Sequence, residues 1–178
     1  AYNKTIRDQI NIIKYNSELK KKTYKSLEFF KKISGFSYNS NQSLIAVSGN
    51  INNQNDIYLL STSSDNMKKL TDDMYDDIHP TFFPNSTSIA FSSNRPSPII
   101  SSKYSYDDEK YYNIYAYDLD TTKNILHQIT KTISNDIKAK GISKNELIYL
   151  SDLNGIFNLH KYDPKDGYKQ ISNLRSNI

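Results

Sequence analysis

Short apolar runs recur in one fixed order along this chain, and that recurrence limits the fold more than any other feature. A first run, Ile-Tyr-Leu-Leu at 57–60, has counterparts at 10–13, 114–117 and 156–159. A second, Lys-Leu-Thr at 69–71, matches 128–130 and 170–172, and more weakly 22–24. A third, Ile-Ala-Phe-Ser at 89–92, matches 45–48 and 148–151. The runs are rich in Ile, Tyr, Phe and Thr and are separated by Asn, Asp, Ser and Pro, the pattern of strands joined by turns. None is long enough for an ordinary helix. From Ile10 to Ile57 is 47 residues, from Ile57 to Ile114 is 57, and from Ile114 to Ile156 is 42. A period of roughly 40–50 with four strands per unit is the propeller pattern. The expected fold is therefore all-β: a partial β-propeller of about three four-stranded antiparallel blades plus strands of a flanking blade. The blade fragment is placed at about 9–27 and the blades at about 33–71, 78–130 and 137–172.

The copy at 56–95 carries a more specific likeness. Asp56, Ile57 and Tyr58 are followed by Leu70 and Thr71, then Asp77, His79 and Pro80. Phe82, Phe83, Pro84, Asn85 and Ser86 come next, then Ile89, Ala90, Phe91, Ser93 and Arg95. This resembles the repeat of TolB-type propellers, the PD40 or WD40-like family. The usual Ser-Pro-Asp-Gly turn is altered in every copy, at 40–43, 84–87 and 143–146, and none keeps the Asp-Gly pair. The resemblance spans most of residues 9–172 and speaks to fold more than to activity. It implies that Asp77 and His79 lie in the connection between blades and tie it down through backbone amides.

One domain is the default for 178 residues. Three to four repeats fall short of a closed ring, so a segment of a longer polypeptide is expected. Further blades or subunits would be needed to cover the exposed blade faces. The first copy is expected to begin at its third strand. Cysteine is absent, which excludes a disulfide framework and thiolate metal sites. No run approaches the ~18 apolar residues of a membrane span. A net charge of +4 does not argue for nucleic acid, and the lysines at 20–22, 25, 31 and 32 read as a solvated hairpin that protects an edge strand.

Two segments carry the candidate sites. Asp72, Asp73, Asp76 and Asp77 form the densest acidic cluster. Oxygen ligands in a loop suit calcium, although the spacing is not that of an EF-hand; otherwise no cofactor is expected. The loop at 95–111 accounts for the long second spacing. Long loops of this kind are usually functional or disordered. Its Ile99, Ile100, Tyr104, Tyr106 and Tyr111 are the groups expected at a protein interface. No nucleophile elbow, zinc-binding helix or phosphate-cradling loop is present, and His79, His127 and His160 are scattered. The resemblance implies a non-catalytic scaffold of the bacterial envelope, periplasmic or outer-membrane-associated, that presents loops or a central funnel to a protein partner. The alternative is the gating propeller of a prolyl-oligopeptidase-like or tricorn-like serine peptidase. Its catalytic domain would lie elsewhere in the chain, and its location would be cytoplasmic.

Overall fold

The computed structural model describes residues 2–6, 9–100, 111–120 and 126–176. They form fifteen strands in four antiparallel sheets. The first sheet holds β1 (Tyr2–Ile6), β2 (Gln9–Asn16) and β3 (Lys21–Ser26). The second holds β4 (Lys32–Tyr38), β5 (Leu44–Ile51), β6 (Gln54–Ser61) and β7 (Met67–Lys69). The third holds β8 (Asp77–Phe82), β9 (Ser88–Ser93), β10 (Asn113–Asp118) and β11 (His127–Gln128). The fourth holds β12 (Asp136–Gly141), β13 (Leu147–Ser151), β14 (Asn158–Asp163) and β15 (Gly167–Gln170). Each four-stranded sheet is a meander in sequence order, as the repeat pattern predicts.

One backbone hydrogen bond recurs in all four sheets and fixes the true repeat. Leu27 N donates to Ile10 O, Leu70 N to Ile57 O, Ile129 N to Ile114 O and Ile171 N to Leu159 O, each at 2.8 Å. A hydroxyl supports it in three sheets. Thr71 Oγ1 accepts from Ile57 N at 3.0 Å, Thr130 Oγ1 from Ile114 N at 2.9 Å, and Ser172 Oγ from Leu159 N at 2.7 Å. The Thr or Ser that closes the second apolar run thus satisfies an amide of the strand beside it.

This register corrects several expectations. The counterpart of Ile57 in the last blade is Leu159, not Ile156, because β14 begins at Asn158. Residues 156–157 imitate the run but precede the strand. Leu147, paired with Tyr162, stands where Ile89, paired with Tyr117, stands, so the third run of that blade is offset by one residue. In the first copy the closing residue is Leu27 rather than the stretch 22–24. That copy does not begin at its third strand, since β1 pairs with β2 ahead of it. The polar segment 49–55, whose asparagines suggest a loop, is mostly strand. Only Asn52 and Asn53 turn, at φ 56° and 66°. Two left-handed residues make the hairpin turn that suits strand twist, and Asn tolerates that region.

The sheets stack face to face, and three apolar clusters fill the gaps between them. Ile12, Leu27 and Phe30 pack on Ile45, Val47, Tyr58 and Leu60. Ala46 and Ile57 meet Phe82, Ile89, Phe91 and Tyr115. Ala90, Ile114 and Ile129 meet Leu147 and Tyr149. Apolar residues on both faces of each strand are what a blade between two neighbours requires. Each fully buried aliphatic or aromatic side chain contributes about 1.5–3 kcal/mol.

The innermost strands β4, β8 and β12 stand side by side, and there the backbones come closest. Ser37 Oγ accepts from Phe82 N at 3.2 Å, and Thr81 Oγ1 accepts from Gly141 N at 3.4 Å. A Cβ on Gly141 would lie 2.6 Å from Phe82 O and 2.9 Å from Phe83 Cα. A Cβ on Gly35 would meet nothing nearer than 3.4 Å. Both β8 and β12 bulge at the same place, and His79 and Lys138 there both sit at φ 54°. Left-handed backbone costs a residue with a Cβ roughly 1–2 kcal/mol. We predict that Gly141→Ala destabilises the protein by about 1–3 kcal/mol through overpacking, while Gly35→Ala changes stability much less. Urea denaturation of the two variants checks the contrast.

Candidate binding surface

The acidic cluster is divided among separate tasks. Asp72 is exposed and pairs with Lys69. Asp76 Oδ1 accepts from Asn55 N at 3.3 Å and Nδ2 at 2.9 Å. Asp73 and Asp77 are buried and converge on Arg95. Among the described residues no three His, Asp or Glu side chains gather as a metal site would require. Backbone amides in and beside the connection are bound by Asp73, whose Oδ1 accepts from Tyr75 N at 3.1 Å, and by Asp76, whereas the expected tie is that of Asp77 and His79. It does not hold for Asp77, whose carboxylate is spent on the guanidinium. Nor does it hold for His79, whose Nδ1 is buried without a partner.

Arg95 is the residue that sequence reasoning passed over. Its position in the repeat was visible, but its partners lie 18 and 22 residues away. The residue is 2% exposed. Nη2 donates to Asp77 Oδ1 at 2.8 Å and Oδ2 at 2.7 Å, Nη1 to Asp73 Oδ2 at 2.7 Å, and Nε to Ser93 Oγ at 2.9 Å. The rings of Tyr75, Phe91 and Tyr115 surround it at 5.9, 6.0 and 5.8 Å. Tyr115 Oη donates to Arg95 O at 2.8 Å, and burial pushes that phenol up to about 12. One planar fork serving three acceptors is a task for Arg and not for Lys.

Two carboxylates and one guanidinium leave an excess of negative charge in the interior. Burial accordingly raises Asp77, and the attraction of Arg95 opposes the shift. Asp56 shows the same strain more openly. Burial, opposed by Lys69 and reinforced by Asp77 and Asp73, pushes its carboxyl up to about 7. Lys69 Nζ stands 2.9 Å from Asp56 Oδ2 as an ion pair without hydrogen-bond geometry, and Oδ1 has no partner. The equivalent positions hold amides. Asn113 Oδ1 accepts from Thr132 N at 2.8 Å, and Asn158 Oδ1 from Leu174 N at 2.7 Å.

The Arg95 cluster anchors the start of the long loop. Beyond it Leu126 N donates to Pro98 O at 2.8 Å. Ile100 packs against the apolar cluster between the second and third sheets, whereas Ile99 is 57% exposed. Tyr111 is also exposed. Tyr104 and Tyr106 lie outside the described residues. The histidines remain apart: His127 lines a groove with Asp118 and Tyr162, and His160 is buried 5.5 Å from Tyr149. A smaller hollow of 270 Å³ lies on the inner edge of three sheets, lined by Phe36, Ser37, His79, Thr81, Lys138 and Lys140 among others.

No protein-family profile and no characterised protein matches this sequence. Solved structures do resemble the fold. TolB from Acinetobacter baumannii superposes with a TM-score of 0.69 at 13% identity, covering 92% of this chain and 40% of that one. A putative TolB from Agrobacterium tumefaciens gives 0.67 at 13% identity, covering 87% and 52%. A puromycin-hydrolyzing peptidase from Mycobacterium tuberculosis gives 0.59 at 10% identity, covering 84% and 23%. The chain therefore has a TolB-like β-propeller fold and spans about half or less of the chains it resembles.

Arg95→Met should cost about 3–5 kcal/mol, because it strands two buried carboxylates, and Arg95→Lys should recover little of it. Chemical denaturation measures both. Asp56→Asn should stabilise the protein at pH 8. The folded-state pKa of Asp56 lies above its unfolded value, so its contribution is greatest in acid and is lost as pH rises through about 7. The variant's melting temperature should gain on wild type as pH rises from acid to pH 8, which differential scanning calorimetry would follow.

Proposed function

Starting from the TolB-like propeller fold, we propose that this chain is a non-catalytic scaffold of the bacterial cell envelope. It binds a protein partner through its loop rim and the inner edge of its blades. One observation carries the proposal: an exposed isoleucine, Ile99, sits on a loop whose base is locked into the core by Arg95 and Pro98. A rigid base beneath an exposed apolar tip is the arrangement that lets a loop contact a partner at small entropic cost. Rigid sheets with adaptable loops need little motion to bind. The envelope location rests on the likeness to TolB structures. Among the described residues no helix is long and apolar enough to cross a membrane.

The likeness to a peptidase's structure supports a second reading, a propeller that gates a serine peptidase. A hydrolase domain with a nucleophile elbow in the same polypeptide would favour it.

Deleting residues 96–110 and joining the ends with a short Gly-Ser turn separates binding from folding. The expected result is a cooperative melt, lowered only by the loss of the Ile100 packing and the Pro98–Leu126 hydrogen bond, and loss of the partner captured by cross-linking in envelope extracts. Undiminished capture by the deletion variant would refute the loop as the contact surface.

A further inference from the structure

The bulges of β8 and β12 place two side chains at one spot on the inner edge of the blades. His79 and Lys138 occupy equivalent positions, both at φ 54°, a region that favours Gly or Asn. Strained backbone at matching points of adjacent strands re-aims side chains, and bulges of this kind gather beside functional sites. Here both side chains line the same 270 Å³ hollow, together with Lys140.

The hollow is cationic. None of its lining residues is acidic, and among the described residues no carboxylate pairs with Lys138 or Lys140. The surrounding charges are accounted for. On β8 itself Asp77 is committed to Arg95. On β12 Asp136 accepts from Thr132 Oγ1 at 2.9 Å and Ser134 Oγ at 3.3 Å. Behind β8, β5 and β9 carry no titratable side chain. β6 carries Asp56, paired with Lys69, and buried Tyr58, and β4 carries Lys32 at its start and Tyr38 at its end. Burial and the neighbouring Lys138 hold His79 below its usual range. The hollow therefore sets two lysines beside a histidine that burial, and after it Lys138, holds below its usual range.

We propose that this hollow receives a carboxylate side chain from an acidic segment of a protein partner, with Lys138 and Lys140 supplying the charge. An anion beside His79 favours its protonated form, so the affinity rises as pH falls. The inference rests on the protein-binding reading above and adds to it where and by what chemistry the inner edge is used.

The test titrates the protein with a labelled oligoglutamate peptide and its oligoglutamine counterpart, read by fluorescence anisotropy. Oligoglutamate should bind and oligoglutamine should not. Lys138→Gln should weaken binding about tenfold or more and Lys138→Arg should retain it, with both variants melting as wild type. Affinity should rise between about pH 8 and pH 6, and His79→Asn, which accepts the same backbone, should remove that rise. Equal binding by wild type and Lys138→Gln would overturn the proposal. Displacement of the peptide by equimolar inorganic phosphate would also overturn it, by marking a site for a small free anion. If Lys138→Gln loses the peptide but still captures the partner that needs residues 96–110, this subsite fails as the partner's contact and the scaffold reading stands.

Discussion

The connection between the second and third sheets holds because one guanidinium binds its middle and the strand it leads into. Arg95 reaches Asp73 in the connection and Asp77 at the first residue of β8, while its own backbone oxygen is held by Tyr115 of β10. Three chain segments are thereby fixed at one point. Desolvating such a group is costly, and hydrogen bonds from all three of its nitrogens within a ring of aromatic faces are what offset the cost. The fourth sheet solves the same problem without an arginine. Asp136, the counterpart of Asp77, is satisfied by hydroxyls of Thr132 and Ser134, and Ser134 in turn contacts Ser151 at 3.2 Å. Hydroxyl donors stand there in place of the guanidinium, and no long loop follows β13, the strand that corresponds to β9.

The division of labour between sheet and loop follows from this. Apolar faces hold neighbouring sheets together along most of their width, and small residues let the innermost strands approach. Polar groups are concentrated in the turns between blades, where backbone amides would otherwise lie unpaired. The surfaces left for recognition are therefore the rim, where the loop after Arg95 emerges, and the inner edge, where His79 and Lys138 depart from regular strand geometry.

Much of the fold was legible because strand spacing is a local property. Ile57, Ile114 and the residues that close their blades, Thr71 and Thr130, declare themselves by type and interval. Where the reading slipped, a local imitation outweighed the pairing: Ile156 and Phe157 look like the start of a strand, but only the bond between Ile171 and Leu159 shows where the strand lies. The asparagines at 52–53 read as loop because a two-residue hairpin without glycine has a weak composition signal. The candidate site was less legible. Four aspartates in six residues suggested a shared ligand, yet the bends of the connection send them in different directions, and the cation that Asp73 and Asp77 share arrives from just past a strand end 18 and 22 residues along the chain. Bulges carry no sequence signature when His and Lys occupy them.

The account stands or falls on whether the inter-blade connection belongs to the core. Amide hydrogen exchange at Tyr75 and Asp76 tests this most directly, since their amides are bound to Asp73 and Asn94 within the Arg95 environment. If Arg95 locks the connection, both amides exchange as slowly as those of β9. Exchange at the rate of a solvent-exposed loop would show that the sheets are held by their apolar faces alone and would contradict the central place given to Arg95.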